Sequence, residues 1–153
     1  MSELASQEDV TAGPDPSAAP IQVRTITVQT GRLVCDIVIP DERFRRTTPG
    51  LAAFAAERFP DLPHHACVNA KGTAFGDVME HTSIAHLLEH LAISLQTRAA
   101  AQAADSFVGT TEWTDEQAGE ARVQLSFRDD LEALRAFNEA TRFLNIAVLT
   151  CLA

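Results

Sequence analysis

Hydrophobic and polar residues change their rhythm several times along this chain, and each change marks an element. From Ile21 the rhythm is strand-like: Val23, Thr25 and Thr27 alternate, Thr30-Gly31 marks a turn, and Leu33, Cys35, Ile37 and Ile39 alternate again up to Pro40. Period-two alternation on both sides of a glycine turn predicts a β-hairpin. Thr48-Pro49 supplies an N-cap and a first-turn proline, which predicts a short helix over Leu51–Phe59 ended by Pro60. Pro63–Val78, with two glycines, reads as a strand with loops. A helix is predicted from about Thr82 to Arg98, capped by Thr82 or Ser83, with Ala99–Asp105 as an alanine-rich extension or loop. Two more strands follow, near Ser106–Trp113 and over Ala121–Phe127, where Val123, Leu125 and Phe127 alternate with Arg122, Gln124 and Ser126. Asp129 and Asp130 favour a helix start through the helix dipole, and Leu131–Leu149 has helical spacing. The order ββ-α-β-α-ββ-α predicts an α+β fold, a two-layer sandwich with helices packed on one face of a mostly antiparallel sheet.

Composition adds boundaries. Residues 1–20 are rich in Ala, Ser, Asp, Glu and Pro and bury too little surface to offset the entropy of ordering, so a disordered acidic, proline-rich tail is expected before a single domain over 21–153. With 46% hydrophobic residues, that domain can fill one core. A net charge of −9 argues against nucleic acid, which demands a basic face; it suits a cationic partner and is equally a route to solubility. Met1–Pro20 has neither the basic nor the apolar region of a signal peptide, and no stretch is long enough to span a bilayer. Cys35, Cys67 and Cys151 are widely spaced with no C-x-x-C pair, so reduced thiols and a cytoplasmic protein are expected.

One motif carries chemistry. His86, Glu89 and His90 form H-x-x-E-H on the predicted Thr82–Arg98 helix. Residues four apart lie one turn apart on one side of a helix, close enough to share a metal ion. Imidazole suits zinc, and an adjacent glutamate can take a proton from a metal-activated water. At ~100° per residue the three fall within an arc of roughly 100°. Ile84, Leu87, Leu88, Leu91 and Leu95 cluster on the opposite side, where a sheet could cover them. The plain alternative is a solvated helical face that happens to carry two histidines and a glutamate. The H-x-x-E-H order marks the inverzincin peptidases, so zinc at His86 and His90, with Glu89 as general base, is the sharper expectation.

The segments Phe59-Pro60-Asp61-Leu62-Pro63-His64-His65-Ala66-Cys67, Gly72–Phe75 and His81–Gln96 resemble the N-terminal domain of cyanophycin synthetase, over roughly residues 48–140. Ala85-His86-Leu87-Leu88-Glu89-His90 also resembles the first half of a pitrilysin/insulinase-type metallopeptidase unit. The ligase domains of the synthetases have no counterpart in these 153 residues. The resemblance therefore implies one of two things. The first is a zinc-dependent hydrolase of an arginine-bearing or cyanophycin-like peptide or isopeptide, with His86 and His90 as ligands and Glu89 as base. The second is a non-catalytic binding or assembly module, with a homo-oligomer open in either case. The chain departs from the synthetase pattern at Ser106-Phe107-Val108-Gly109-Thr110-Thr111, which lacks the arginines of the G-F-G-R-T-R-like stretch. The distant third-ligand glutamate of the pitrilysin type falls beyond residue 153.

A catalytic zinc normally takes three protein ligands and keeps one open position. Glu112, Glu132 and Glu139 are candidates for the third, with an ordinary surface glutamate as the alternative for each, and Glu80 and His81 just before the helix could cap it or add a ligand. His65-x-Cys67 offers nitrogen and sulfur, but a strand histidine bonded to backbone is the expectation there. Phe107 and Trp113 read equally as a recognition platform or as core.

Overall fold

The computed structural model describes residues 18–100 and 107–153. Most of the expected tail and most of the 99–105 segment therefore lie outside the described residues. The elements run β1 (Gln22–Gln29), β2 (Arg32–Val38), α1 (Pro49–Arg58), β3 (Ala66–Asn69), β4 (Gly72–Ala74), α2 (Ile84–Ala100), β5 (Gly109–Asp115), β6 (Glu120–Ser126) and α3 (Asp130–Cys151). Short 3-10 turns span Glu42–Phe44, Leu62–His64 and Phe75–Asp77. No described helix is long and apolar enough to cross a membrane.

The local signals act as their chemistry requires. Gly31 takes the left-handed φ of 71° that the β1–β2 turn needs. Thr48 accepts a hydrogen bond from Leu51 N and opens α1, and Asp129 accepts from both Leu131 N and Glu132 N to open α3. At α2 the cap is Ser83, whose Oγ accepts from His86 N at 3.0 Å.

Four strands form an antiparallel sheet in the order β1-β2-β6-β5, and β3 and β4 form a separate small hairpin. That hairpin is the first difference from expectation: Pro63–Val78 holds two short strands between 3-10 turns rather than one. Register explains which face is dry. Leu33, Cys35 and Ile37 of β2 stand opposite Leu125, Val123 and Ala121 of β6, so all six share one face, and all six are buried. The other face carries Asp36 bonded to Arg122, with Gln124 opposite Val34. Helices α2 and α3 cover the dry face, which gives the α+β architecture. The strict alternation expected of Val23, Thr25 and Thr27 is broken by a bulge between Val23 and Thr25. It puts Val23 opposite Ile37 and leaves Thr25 and Thr27 on the polar side, while Ile26 packs against the core and Val28, opposite Leu33, stays exposed. The start of β1 is fastened to α3, where Asn145 accepts from Ile21 N at 2.7 Å and donates to Ile21 O.

Helix α2 is wedged between the sheet and its neighbours, and twelve of its seventeen residues are buried. Leu87, Leu88 and Leu91 enter the core as expected, whereas Leu95 is only half-buried. The H-x-x-E-H face is also covered, which excludes a solvated helical surface. Replacing Asp129 by Ala removes the cap of α3 and is expected to cost about 1 kcal/mol. Urea unfolding of the variant beside the wild type measures it.

Candidate metal centre

Two lids close over the polar side of α2. Strand β5 lies on one side, and the β3–β4 hairpin with its flanking turns lies on the other. From β5, Thr111 Oγ1 donates to Glu89 Oε1 at 2.6 Å. Gly109 passes so close that a Cβ there would sit 2.7 Å from Glu89 Oε2, so only glycine leaves the carboxylate its space. From the hairpin, the ring of Phe75 stacks on His90 at 4.0 Å between centroids and meets His86 edge-on at 4.9 Å. Cys67 Sγ lies 3.5 Å from His86 Nε2. Behind the histidines, Thr82 Oγ1 contacts His86 Nδ1 at 2.8 Å, and His65 Nδ1 contacts His90 Nδ1 at 3.0 Å.

The ligand atoms of Cys67, His86 and His90 all lie within 4.8 Å of one another, and no other such group occurs among the described residues. Two zinc ligands at tetrahedral angles, one sulfur and one nitrogen, stand about 3.6 Å apart. The Cys67–His86 separation therefore fits without movement. Two imidazoles and a thiol form a donor set suited to zinc, with one position left open. Glu89 lies beside the set, its Oε2 3.7 Å from His90 Nε2. In front of the cluster opens a cavity of about 720 Å³, lined by Cys67, His86, Glu89 and His90 and by every residue from Phe107 to Trp113.

Burial sets the charge state of this cluster. It pushes the Glu89 carboxyl up to about 7, although the Thr111 hydrogen bond works the other way. It pushes His86 down, and His90 much further down, where the neighbouring histidines add to the effect. Burial, with the charges of Glu89 and Asp77, also holds the Cys67 thiol above its ordinary value. Without a cation, burial favours the neutral form of each of these groups.

The structure therefore brings His86, Glu89 and His90 together as expected and adds Cys67 to them. Glu132 and Glu139 on α3 do not line the cavity, and neither do Glu80 and His81. Glu112 does line it, but with its side chain exposed and on the sheet face away from α2. The ring of His65 is bonded to the side chains of Asp61 and His90 rather than to backbone, and the residue is 3% exposed. Phe107 is buried and Trp113 half-buried, and both line the cavity wall. Sequence reasoning missed Thr111 and Gly109, and it missed Phe75 as the ring that holds both histidines. The Gly-Thr-Thr run was in view, but only as a departure from a pattern.

An H-x-x-E-H helix laid beneath one edge of an antiparallel sheet, with a cysteine supplied by a neighbouring hairpin, defines an α+β domain built around a potential metal centre. Residues 33–148 match the family of cyanophycin synthase-like N-terminal domains, and the chain belongs to that family. None of the curated proteins matches it.

The raised Glu89 value carries a stability consequence. The folded state holds this proton up to about pH 7 while the unfolded state releases it near 4.5. Stability from this group is therefore present at low pH and is lost as pH rises from about 4.5 to about 7. Between pH 5 and pH 8, metal-free wild type is expected to lose on the order of 2 kcal/mol relative to Glu89→Gln. Denaturant unfolding of both proteins across that range checks the sign and size.

Proposed function

We propose that this domain is a zinc-dependent hydrolase of amide or isopeptide bonds, held ready by Cys67, His86 and His90 and worked by Glu89. One observation carries the reading: two imidazoles and a thiol converge on one point beside a buried glutamate whose carboxyl is pushed up to about 7, at the wall of an open cavity. When bound there, zinc supplies a Lewis acid that polarises the scissile carbonyl and makes water a better nucleophile. Glu89 takes the proton from the attacking water as the new C–O bond forms. It then delivers that proton to the leaving nitrogen as the C–N bond breaks, so acid and amine leave with the elements of one water added. Thr111 keeps the carboxylate aimed, because its hydroxyl fixes Oε1 and leaves Oε2 toward the cluster.

The substrate reading follows from β5. This strand ends the sheet, so among the described residues its outer edge pairs with no strand. Consecutive residues of a strand point to opposite faces. Gly109, Thr110, Thr111, Glu112 and Trp113 nevertheless all line the cavity, which therefore runs along that free edge. An extended polyamide can hydrogen-bond there by strand addition, with its carbonyls beside Glu89. Glu112 at the rim and the net charge of −9 favour cationic, arginine-bearing side chains.

A non-catalytic binding module is the second reading. It is favoured by Gly109 and Thr111 standing where the resemblance leads one to expect arginines, and by a family assignment that names a domain and no reaction. Untagged protein incubated with zinc and dialysed should retain about one zinc per chain, while His86→Ala and Cys67→Ser retain little or none, by elemental analysis. The loaded wild type should cleave an arginine-bearing aspartyl isopeptide, and Glu89→Gln should lose at least 100-fold of that rate. Zinc retention with no cleavage, together with binding of the isopeptide, selects the binding module instead.

A further inference from the structure

A line of buried polar contacts leads away from the proposed centre into the loop after α1. Ser94 Oγ donates to Asp61 Oδ1 at 3.0 Å, Asp61 Oδ2 meets His65 Nε2 at 2.7 Å, and His65 Nδ1 meets His90 Nδ1 at 3.0 Å. Ser94, His65 and His90 are at most 3% exposed, while Asp61, at 40%, is the end of the line that meets solvent. Ser94 follows His90 by one helical turn, and Asp61 precedes His65 by four residues. The line thus ties two points of α2 to two points of the loop.

Counting protons fixes its direction. Asp61 is a carboxylate and can only accept; Arg98, 3.9 Å from its Oδ1, favours that charge. Its neighbour His65 must then carry a proton on Nε2. An imidazole carrying only that N–H has a lone pair on Nδ1, which accepts. The hydrogen of the 3.0 Å contact therefore belongs to His90 Nδ1, and His90 Nε2 is left bare. That nitrogen is the one nearest Glu89.

We propose that Asp61 and His65 are positioning residues that lock His90 in its Nδ1-protonated tautomer, so that its bare Nε2 faces the Cys67–His86 pair as a preformed ligand for a divalent ion such as zinc. The part concerning the ion rests on the metal reading above; the tautomer part rests on the hydrogen bonds alone. A metal-bound imidazole ordinarily donates its other N–H to a carboxylate or carbonyl, and removal of that partner costs 10–100-fold in metal affinity. Here a second histidine is interposed between the carboxylate and the ligand. It carries the same instruction one residue further.

The experiment is ¹⁵N–¹H long-range correlation of the imidazole rings in metal-free protein, followed by zinc affinity from competition with a chromophoric chelator. Wild type should show His65 as the Nε2–H form and His90 as the Nδ1–H form. In Asp61→Asn the side-chain amide can donate as well as accept, so His90 should become a mixture of tautomers and zinc affinity should fall 10–100-fold. Asp61→Glu should recover part of both. Ser94→Ala, which leaves Oδ2 to accept, should keep the wild-type tautomers. If His90 of the wild type is the Nε2–H form or a cation, the inference is overturned. It is equally overturned if Asp61→Asn changes neither tautomer nor affinity. Should Asp61→Asn not fold, the wild-type spectrum still decides. Should the wild type bind no zinc, the metal reading falls while the tautomers still test the lock.

Discussion

The structure depends on how the polar side of α2 is kept out of water. Glu89 and His90 are 4% and 2% exposed, on a helix whose opposite side already fills the core with Leu87, Leu88 and Leu91. Burying a carboxyl and an imidazole is unfavourable by several kcal/mol unless each finds a partner or stays neutral. Both remedies are used. Glu89 holds its proton up to about pH 7 and accepts from Thr111, while His90 stays neutral against Phe75 and His65. These contacts fix where β5, the β3–β4 hairpin and the loop before it must lie. The sheet edge and the hairpin are therefore positioned by chemistry at the helix as much as by the apolar core.

Such a cluster is poised for a cation. Two neutral imidazoles, a thiol and a carboxyl with its proton form a set that a divalent ion would convert to charged and coordinated groups, releasing protons as it does so. The free edge of β5 and the cavity along it give an extended chain a place beside that set. In this reading binding and chemistry are joined in one strand. Gly109 and Thr111 support Glu89 from the same segment whose outer edge would take the substrate backbone.

The hairpin, the two helix caps and the final helix were legible because each is set by neighbours in sequence: alternation, a turn glycine, or a capping side chain. The bulge after Val23 was not, since it is decided by register against β2. Nor was the second strand before α2, where four residues and three residues leave no periodicity to read. At the site, His86, Glu89 and His90 were legible because helical spacing alone brings them together. Cys67 stands nineteen residues before His86 and is delivered by tertiary folding of the hairpin. The third-ligand candidates Glu112, Glu132, Glu139, Glu80 and His81 offered oxygen or nitrogen, while the donor nearest His86 is the sulfur of Cys67, for which a structural role was the expectation. His65 ends the 3-10 turn before β3 and Cys67 lies within β3, and they meet different histidines of α2, His90 and His86. That is why His65-x-Cys67 could not be read as a single ligand pair. The solvated-face alternative fails for a related reason: a helical wheel shows which residues share a side, not what lies against it.

The central claim, that a cysteine of the hairpin completes the pair on the helix, is tested most directly by zinc K-edge X-ray absorption on the loaded protein. The account predicts one sulfur at about 2.3 Å and two imidazole nitrogens near 2.0–2.1 Å, with one further light atom in the open position. A first shell made only of nitrogen and oxygen, unchanged in Cys67→Ser, would contradict it.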